Sequence, residues 1–153
     1  MSDTLTQQAS PAGAQSGVQV SQKAKEAFTD LKEARKYKYL IFNISNNNKE
    51  VEVVNGSSST DYDEFLKELP ENECRWAVYD LEYEKPGEGK RSKLCFFSWT
   101  PDTATVKQKM VFASSRSRVL LGLTSGSGVT DIQATDDDEI SYENVFRRVS
   151  KGT

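Results

Sequence analysis

Two segments in the middle of the chain, Arg75 to Tyr83 (RWAVYDLEY) and Lys93 to Trp99 (KLCFFSW), carry apolar side chains on both alternating faces. Successive residues of a strand point to opposite sides, so strands that are apolar on both lie in a sheet covered above and below. Their connection, Lys85 to Lys90, holds Pro86, Gly87 and Gly89 and predicts an exposed hairpin loop. These two are the expected central strands, and the rest of the chain must supply the covering layers.

The flanking segments have the right periods. Ala24, Phe28 and Leu31, with Ala27 beside them, repeat at helical spacing after Ser21, a residue suited to cap the first turn, which predicts an amphipathic helix to about Arg35. Tyr39 to Ile44 (YLIFNI) and Glu50 to Val54 (EVEVV) read as strands joined by a turn at Asn46-Asn47-Asn48. Asn55 to Thr60 reads as a Gly/Ser loop. Beyond it, Asp61 and Glu64 stand at capping-box spacing ahead of Phe65, Leu66 and Leu69, a short helix that Pro70 stops. A long helix is expected from about Ala104 to Leu121, ended by Gly122, Gly126 and Gly128. Its apolar residues fall into two sets: Val106, Met110, Ala113, Leu120 and Leu121 on one side, Phe112 and Val119 well around the cylinder. One face packs on the sheet and the other is left for a partner. Val129 to Ala134 reads as a last strand, and the acidic run Asp136 to Glu139 precedes a final helix through Tyr142, Val145, Phe146 and Val149, where the macrodipole favours negative charge. The fold class is α+β: a three-layer mixed β-sheet flanked by helices on both faces, formed by one domain over 17–153. Residues 1–16, almost uncharged and without an aromatic, read as a flexible tail.

Composition excludes several functions. Histidine is absent, which removes Ser-His-Asp and Cys-His nucleophile systems, histidine zinc sites and a histidine pH switch. A net charge of −3 and a pI of about 5.1 oppose a protein that works by covering nucleic-acid phosphates. No apolar run approaches the ~20 residues of a membrane span, and the first residues lack a signal peptide's basic start and apolar stretch, so a soluble cytoplasmic protein is expected. Cys74 and Cys95 both fall in strand-like segments and read as reduced core thiols. Asp136 to Glu139 are consecutive, whereas a calcium loop spaces its ligands at alternating positions around a glycine, so neither metal nor other cofactor is expected.

What remains is a set of basic clusters: Lys90, Arg91 and Lys93 where the hairpin loop enters a strand, Lys107 and Lys109 early in the long helix, and Arg147, Arg148 and Lys151 at the C-terminal end. In an acidic chain such concentration suggests electrostatics aimed at an acidic partner. Bland readings stand beside it: the dipole alone favours Arg and Lys in a last helical turn, and Lys90 and Arg91 fit a solvated loop. Lys107, Met110 and Ser114 share a helix face, while Lys109 points elsewhere. By pattern alone Met110 completes an apolar stripe and reads as core.

The run from Trp99-Thr100-Pro101-Asp102 through Lys107-Gln108-Lys109-Met110 to Ala113-Ser114-Ser115 closely resembles the signature of ADF/cofilin proteins. Supporting pieces stand in family order: Ser16-Gly17-Val18, Tyr62-Asp63-Glu64-Phe65-Leu66 with Leu69-Pro70, Trp76-Ala77-Val78-Tyr79-Asp80, Gly89-Lys90-Arg91-Ser92-Lys93 and Thr130-Asp131-Ile132-Gln133. The resemblance covers essentially 16–153, with fungal members nearest. It implies the actin-depolymerising-factor homology fold and no catalytic residues. It also implies two actin-facing surfaces: one shared by monomer and filament (Ser16, Gly17, Val18, Lys107, Lys109, Met110) and one specific to the filament (Lys90, Arg91, Lys93, Arg148, Lys151). It further implies preference for ADP-actin, severing and depolymerisation by changed filament twist, phosphoinositide headgroups as competing ligands, Ser16 as a phosphorylation site, and a monomer working on the actin cytoskeleton. Three departures stand out. The segment before Ser16 is longer than usual, Ser21 and Gln22 replace acidic residues, and Arg147 stands where close relatives carry an acid, which predicts a more basic C-terminal patch. The competing expectation within the same fold is a coactosin-like side-binder that does not sever; outside it, a thiol enzyme built on Cys95.

Overall fold

The computed structural model describes residues 17–125 and 128–151. Its core is a six-stranded mixed sheet in the order β1-β3-β2-β4-β5-β6, built from Gln19–Val20 (β1), Tyr39–Ile44 (β2), Glu50–Ser57 (β3), Arg75–Lys85 (β4), Gly89–Trp99 (β5) and Thr130–Ala134 (β6). β1 runs parallel to β3 and β6 parallel to β5; the other pairings are antiparallel. The helices are Gln22–Lys32 (α1), Tyr62–Lys67 (α2), Val106–Thr124 (α3) and Tyr142–Lys151 (α4).

Both faces of the central pair are covered, as their composition demands. On one side Trp76, Val78 and Phe96 pack with Phe28 and Leu31 of α1 and Phe112, Val119 and Leu123 of α3. On the other, Ala77, Tyr79, Cys95 and Phe97 pack with Phe65 of α2 and Val145 and Val149 of α4. Ser21 caps α1, its hydroxyl accepting from the Ala24 N–H at 3.0 Å. The acidic run is consumed locally: Asp136 accepts from the Glu139 N–H at 2.8 Å, and Glu139 accepts from the Thr135 N–H at 2.7 Å.

Several expectations are corrected. β3 continues through Asn55, Gly56 and Ser57 rather than ending at Val54, because a bulge opposite Ile41 and Phe42 lets Val54 swing outward while pairing resumes. Asp61 caps α2 by accepting from the Asp63 N–H, and Glu64 turns back to the Ser59 hydroxyl instead of closing a capping box. The hairpin connection shrinks to Pro86, Gly87 and Glu88, with strand on either side. Gly122 lies inside α3, which ends at Ser125 in the left-handed region (φ 55°). β1 was not foreseen at all. The buried side of α3 is the smaller apolar set, Phe112 and Val119 with Leu123, while Val106, Met110 and Leu121 are 64–69% exposed. Ser115, buried between Phe112 and Val119, hides that stripe from an apolar count.

Candidate functional site

The Trp99–Ser115 run is a brace before it is a surface. Trp99 Nε1–H donates to the Pro70 carbonyl at 2.7 Å, the Thr103 hydroxyl to the Glu71 carbonyl at 3.0 Å, and the Cys74 N–H to Gln108 Oε1 at 2.7 Å. Asp102 N–H reaches the Thr135 carbonyl at 3.2 Å, and Thr105 caps the helix by accepting from the Gln108 N–H at 3.1 Å. The first turns of α3 are therefore fixed to the segment that enters β4. With Phe112 packed against Trp76 beneath them, the ring centroids 4.1 Å apart and the planes inclined by 33°, the opposite side of the helix points outward. That outward side carries Val106, Lys107, Met110 and Ser114, all exposed. Met110 thus belongs to the surface and not to the core that its spacing alone suggested. Lys109 is only half-exposed, and its ammonium donates to the Asp102 carbonyl at 3.2 Å. Val106 joins Met110 one turn away as a second exposed apolar group, legible only from the i, i+4 spacing once the buried side is known.

The start of the described chain lies at the same end. Gly17, with φ 66°, is exposed, and Val18 is fully buried in the core, so its side chain anchors the segment and does not face outward. Gln19 N–H donates to the Lys49 carbonyl at 2.8 Å, holding the segment along β3, and α3 crosses it where a Cβ on Gly122 would stand 3.0 Å from Val20 Cγ2. Ser16 lies outside the described residues, as does the segment before it.

The second group gathers elsewhere. Paired strand residues share a face, so Arg91 and Lys93, opposite Tyr83 and Leu81, face the α4 layer, whereas Lys90, opposite Glu84, faces the other way. Arg91 pairs with Glu88 of the hairpin turn. α4 runs toward that hairpin: Tyr142 meets Tyr62, which meets Tyr79, and Phe146 meets Tyr83, four residues further along β4. Its last turn therefore carries Arg148 and Lys151 toward Arg91 and Lys93. Arg148 donates to the Asp131 carbonyl at 3.2 Å, Lys151 is exposed, and Arg147 donates to Asn144 Oδ1 at 2.6 Å. Gln108 sits at the beginning of β4, whereas Leu81 and Tyr83, opposite Lys93 and Arg91, lie seven and nine residues beyond Cys74, which at about 3.3 Å per residue is roughly 23–30 Å along the strand.

Neither cysteine is set up as a nucleophile. Burial pushes the Cys95 thiol up to about 12, with Asp80 adding to it, and burial pushes Cys74 up to about 11, so both are protonated at neutral pH. Among the described residues no group of three or more Cys, Asp or Glu is placed to hold a metal, and no helix is long and apolar enough to cross a membrane.

A covered sheet that presents cations on two exterior surfaces, with the apolar Val106 and Met110 exposed on one of them, is the architecture of a protein suited to docking on other macromolecules. Comparison with known proteins sharpens that class. The chain belongs to the cofilin/tropomyosin-type actin-binding protein family, whose model matches residues 17–150. It is 51% identical to the cofilin of the fungus Mycosarcoma maydis, over 90% of this chain and 98% of that one. A crystal structure of Streptomyces griseoflavus cofilin superposes with a TM-score of 0.81 at 48% identity, over 90% of this chain and 100% of that one. Coactosin from Entamoeba histolytica shares the fold (TM-score 0.73, 89% of this chain and 96% of that one) at only 18% identity.

Proposed function

We propose that this chain binds actin monomers and filaments, prefers their ADP state, and severs and depolymerises filaments by changing their twist. One observation carries the reading: in a member of an actin-binding family, Lys107 and Met110 stand exposed on a helix whose other side is locked into the core. The shared surface is Lys107, Met110 and Gly17, with Val18 and Lys109 setting their backbone and Ser16, which precedes Gly17 in the sequence, as a modification site. The filament-specific surface is Lys90, Arg91, Lys93, Arg148 and Lys151. Binding that favours one twist shifts the filament population toward it, and boundaries between decorated and bare stretches fracture. On monomers, preference for one nucleotide state slows exchange by linkage. The chain acts without catalysis, as a cytoplasmic monomer, and its basic surfaces also take phosphoinositide headgroups. The cofilin likeness at half identity favours severing over side-binding of the coactosin kind.

The test is co-sedimentation with filaments, imaging of filament length and titration of fluorescent ADP-actin monomers. Wild type is compared with Lys107→Ala/Lys109→Ala and Lys90→Ala/Arg91→Ala. The first pair is expected to lose monomer and filament binding, the second filament binding alone. Decoration without shortening would instead assign the coactosin-like activity, and three proteins behaving alike would remove the two-surface assignment.

A further inference from the structure

The turn between β2 and β3 is absorbed by neither surface, yet it stands between the two halves of the shared one. On one side a hollow is lined by Gly17 and Gln19 together with Ser45, Asn47 and Lys49. On the other, a hollow is lined by Thr105, Lys107 and Gln108 together with Ser45, Asn46 and Asn48. A rigid partner that touches both Gly17 and Lys107 meets this turn on the way. We propose that Asn46 and Lys49 form a third contact element of the shared surface, docking the acidic exterior of actin; the inference rests on the actin-binding reading above.

The turn is preorganised for such a role. Asn48 adopts φ 57° and donates its N–H to the Ser45 carbonyl at 2.8 Å. The Ser45 hydroxyl donates to Asn47 Oδ1 at 2.7 Å and accepts from the Glu50 N–H at 3.1 Å, and Asn47 Oδ1 also accepts from the Lys49 N–H at 3.2 Å. Ser45 and Asn47 are thereby committed to holding the loop, and little ordering entropy is left to lose on docking. The side chains of Asn46 and Lys49 are exposed and take part in none of these bonds. Charge decides the sign of their effect. In the hollow beside Lys107 the one acid, Glu73, is paired with Arg75 at 3.2 Å, which leaves Lys107 unopposed. In the hollow beside Gly17, Glu50 and Glu52 flank Lys49, so Lys49 is the cation that keeps that side from repelling an acidic partner.

The experiment uses the full chain and fluorescent ADP-actin monomers at low and moderate salt, with melting curves to verify folding. Lys49→Ala is expected to weaken binding roughly three- to tenfold at low salt, with a smaller effect as salt screens it. Asn46→Ala/Lys49→Ala weakens it further. Glu50→Gln/Glu52→Gln tightens it, and Lys67→Ala on the far face leaves it unchanged. If Lys107→Ala/Lys109→Ala loses binding while the Asn46 and Lys49 variants bind like wild type, the turn is no contact element and the actin reading stands. The turn is equally excluded if Lys67→Ala weakens binding as much as Lys49→Ala, since the effect is then one of net charge. Should the Lys107/Lys109 variant itself bind like wild type, the shared surface falls and this element with it.

Discussion

Gln108 accepts from the backbone N–H of Cys74 at 2.7 Å, so the residue between the two lysines of α3 faces inward and ties the helix to the start of β4. Cys74 is fully buried, and Gln108→Ala leaves its N–H without an acceptor. The expected cost is about 1–3 kcal/mol in chemical denaturation, with Gln108→Glu recovering most of it by keeping an oxygen in place. An unchanged midpoint for Gln108→Ala would show that the brace does not need this bond.

The two sides of α3 separate stability from binding. Phe112 is buried against Trp76, and Phe112→Ala is expected to cost about 3–5 kcal/mol through lost transfer energy and a cavity. Met110 is 65% exposed, so Met110→Ala should leave stability within about 0.5 kcal/mol of wild type while weakening actin binding about five- to tenfold. Denaturation and monomer titration on the same samples check both. A large stability loss for Met110→Ala would return that side chain to the core.

Sequence reading succeeded where one face of an element had one job. Central strands apolar on both sides forced a covered sheet, and Ser21 ahead of Ala24, Phe28 and Leu31 marked a capped helix. It failed where local chemistry had alternatives. β1 spans only Gln19 and Val20, too short to show a period, and depends on β3 for its bonds. Glu64 had both Asp61 and Ser59 within reach, and spacing does not choose between them. In α3 the buried serine Ser115 left the exposed set looking more apolar than the buried one. The candidate surfaces were legible through the family resemblance, which groups Lys107 with Lys109; helical spacing alone set Lys109 apart, and its ammonium is engaged by the Asp102 carbonyl.

Gly56 shows how the bulge of β3 is accommodated. A Cβ there would lie 2.9 Å from Leu40 Cδ2 and 2.9 Å from the Tyr37 ring, closer than side chains approach one another. Leu40 is fully buried and cannot retreat without disturbing β2. Gly56→Ala is therefore expected to destabilise by about 1–3 kcal/mol, the usual cost of overpacking, measured as a lower denaturant midpoint with unchanged slope. Wild-type stability in that variant would mean that Tyr37 swings aside at no cost.

The pH response follows from which groups titrate. Burial pushes Cys95 and Tyr79 up to about 12 and Cys74 up to about 11, and it raises Tyr39 and Tyr62 as well. All are neutral when protonated, so above the ordinary 9.0 of a thiol and 10.0 of a phenol the unfolded chain releases protons that the native state still holds. Their stabilising contribution is complete below pH 9 and is lost progressively as pH rises toward about 12. With no histidine in the chain, no side chain titrates ordinarily near neutrality, and the melting temperature is expected to be flat from about pH 6 to 8. Above about pH 9 it should fall, less steeply in Cys95→Ala over the first unit, where thiols ionise before tyrosines. Melting curves across that range decide the matter: a slope between pH 6 and 8, or a melting temperature that holds into strong alkali, would contradict the buried-group account.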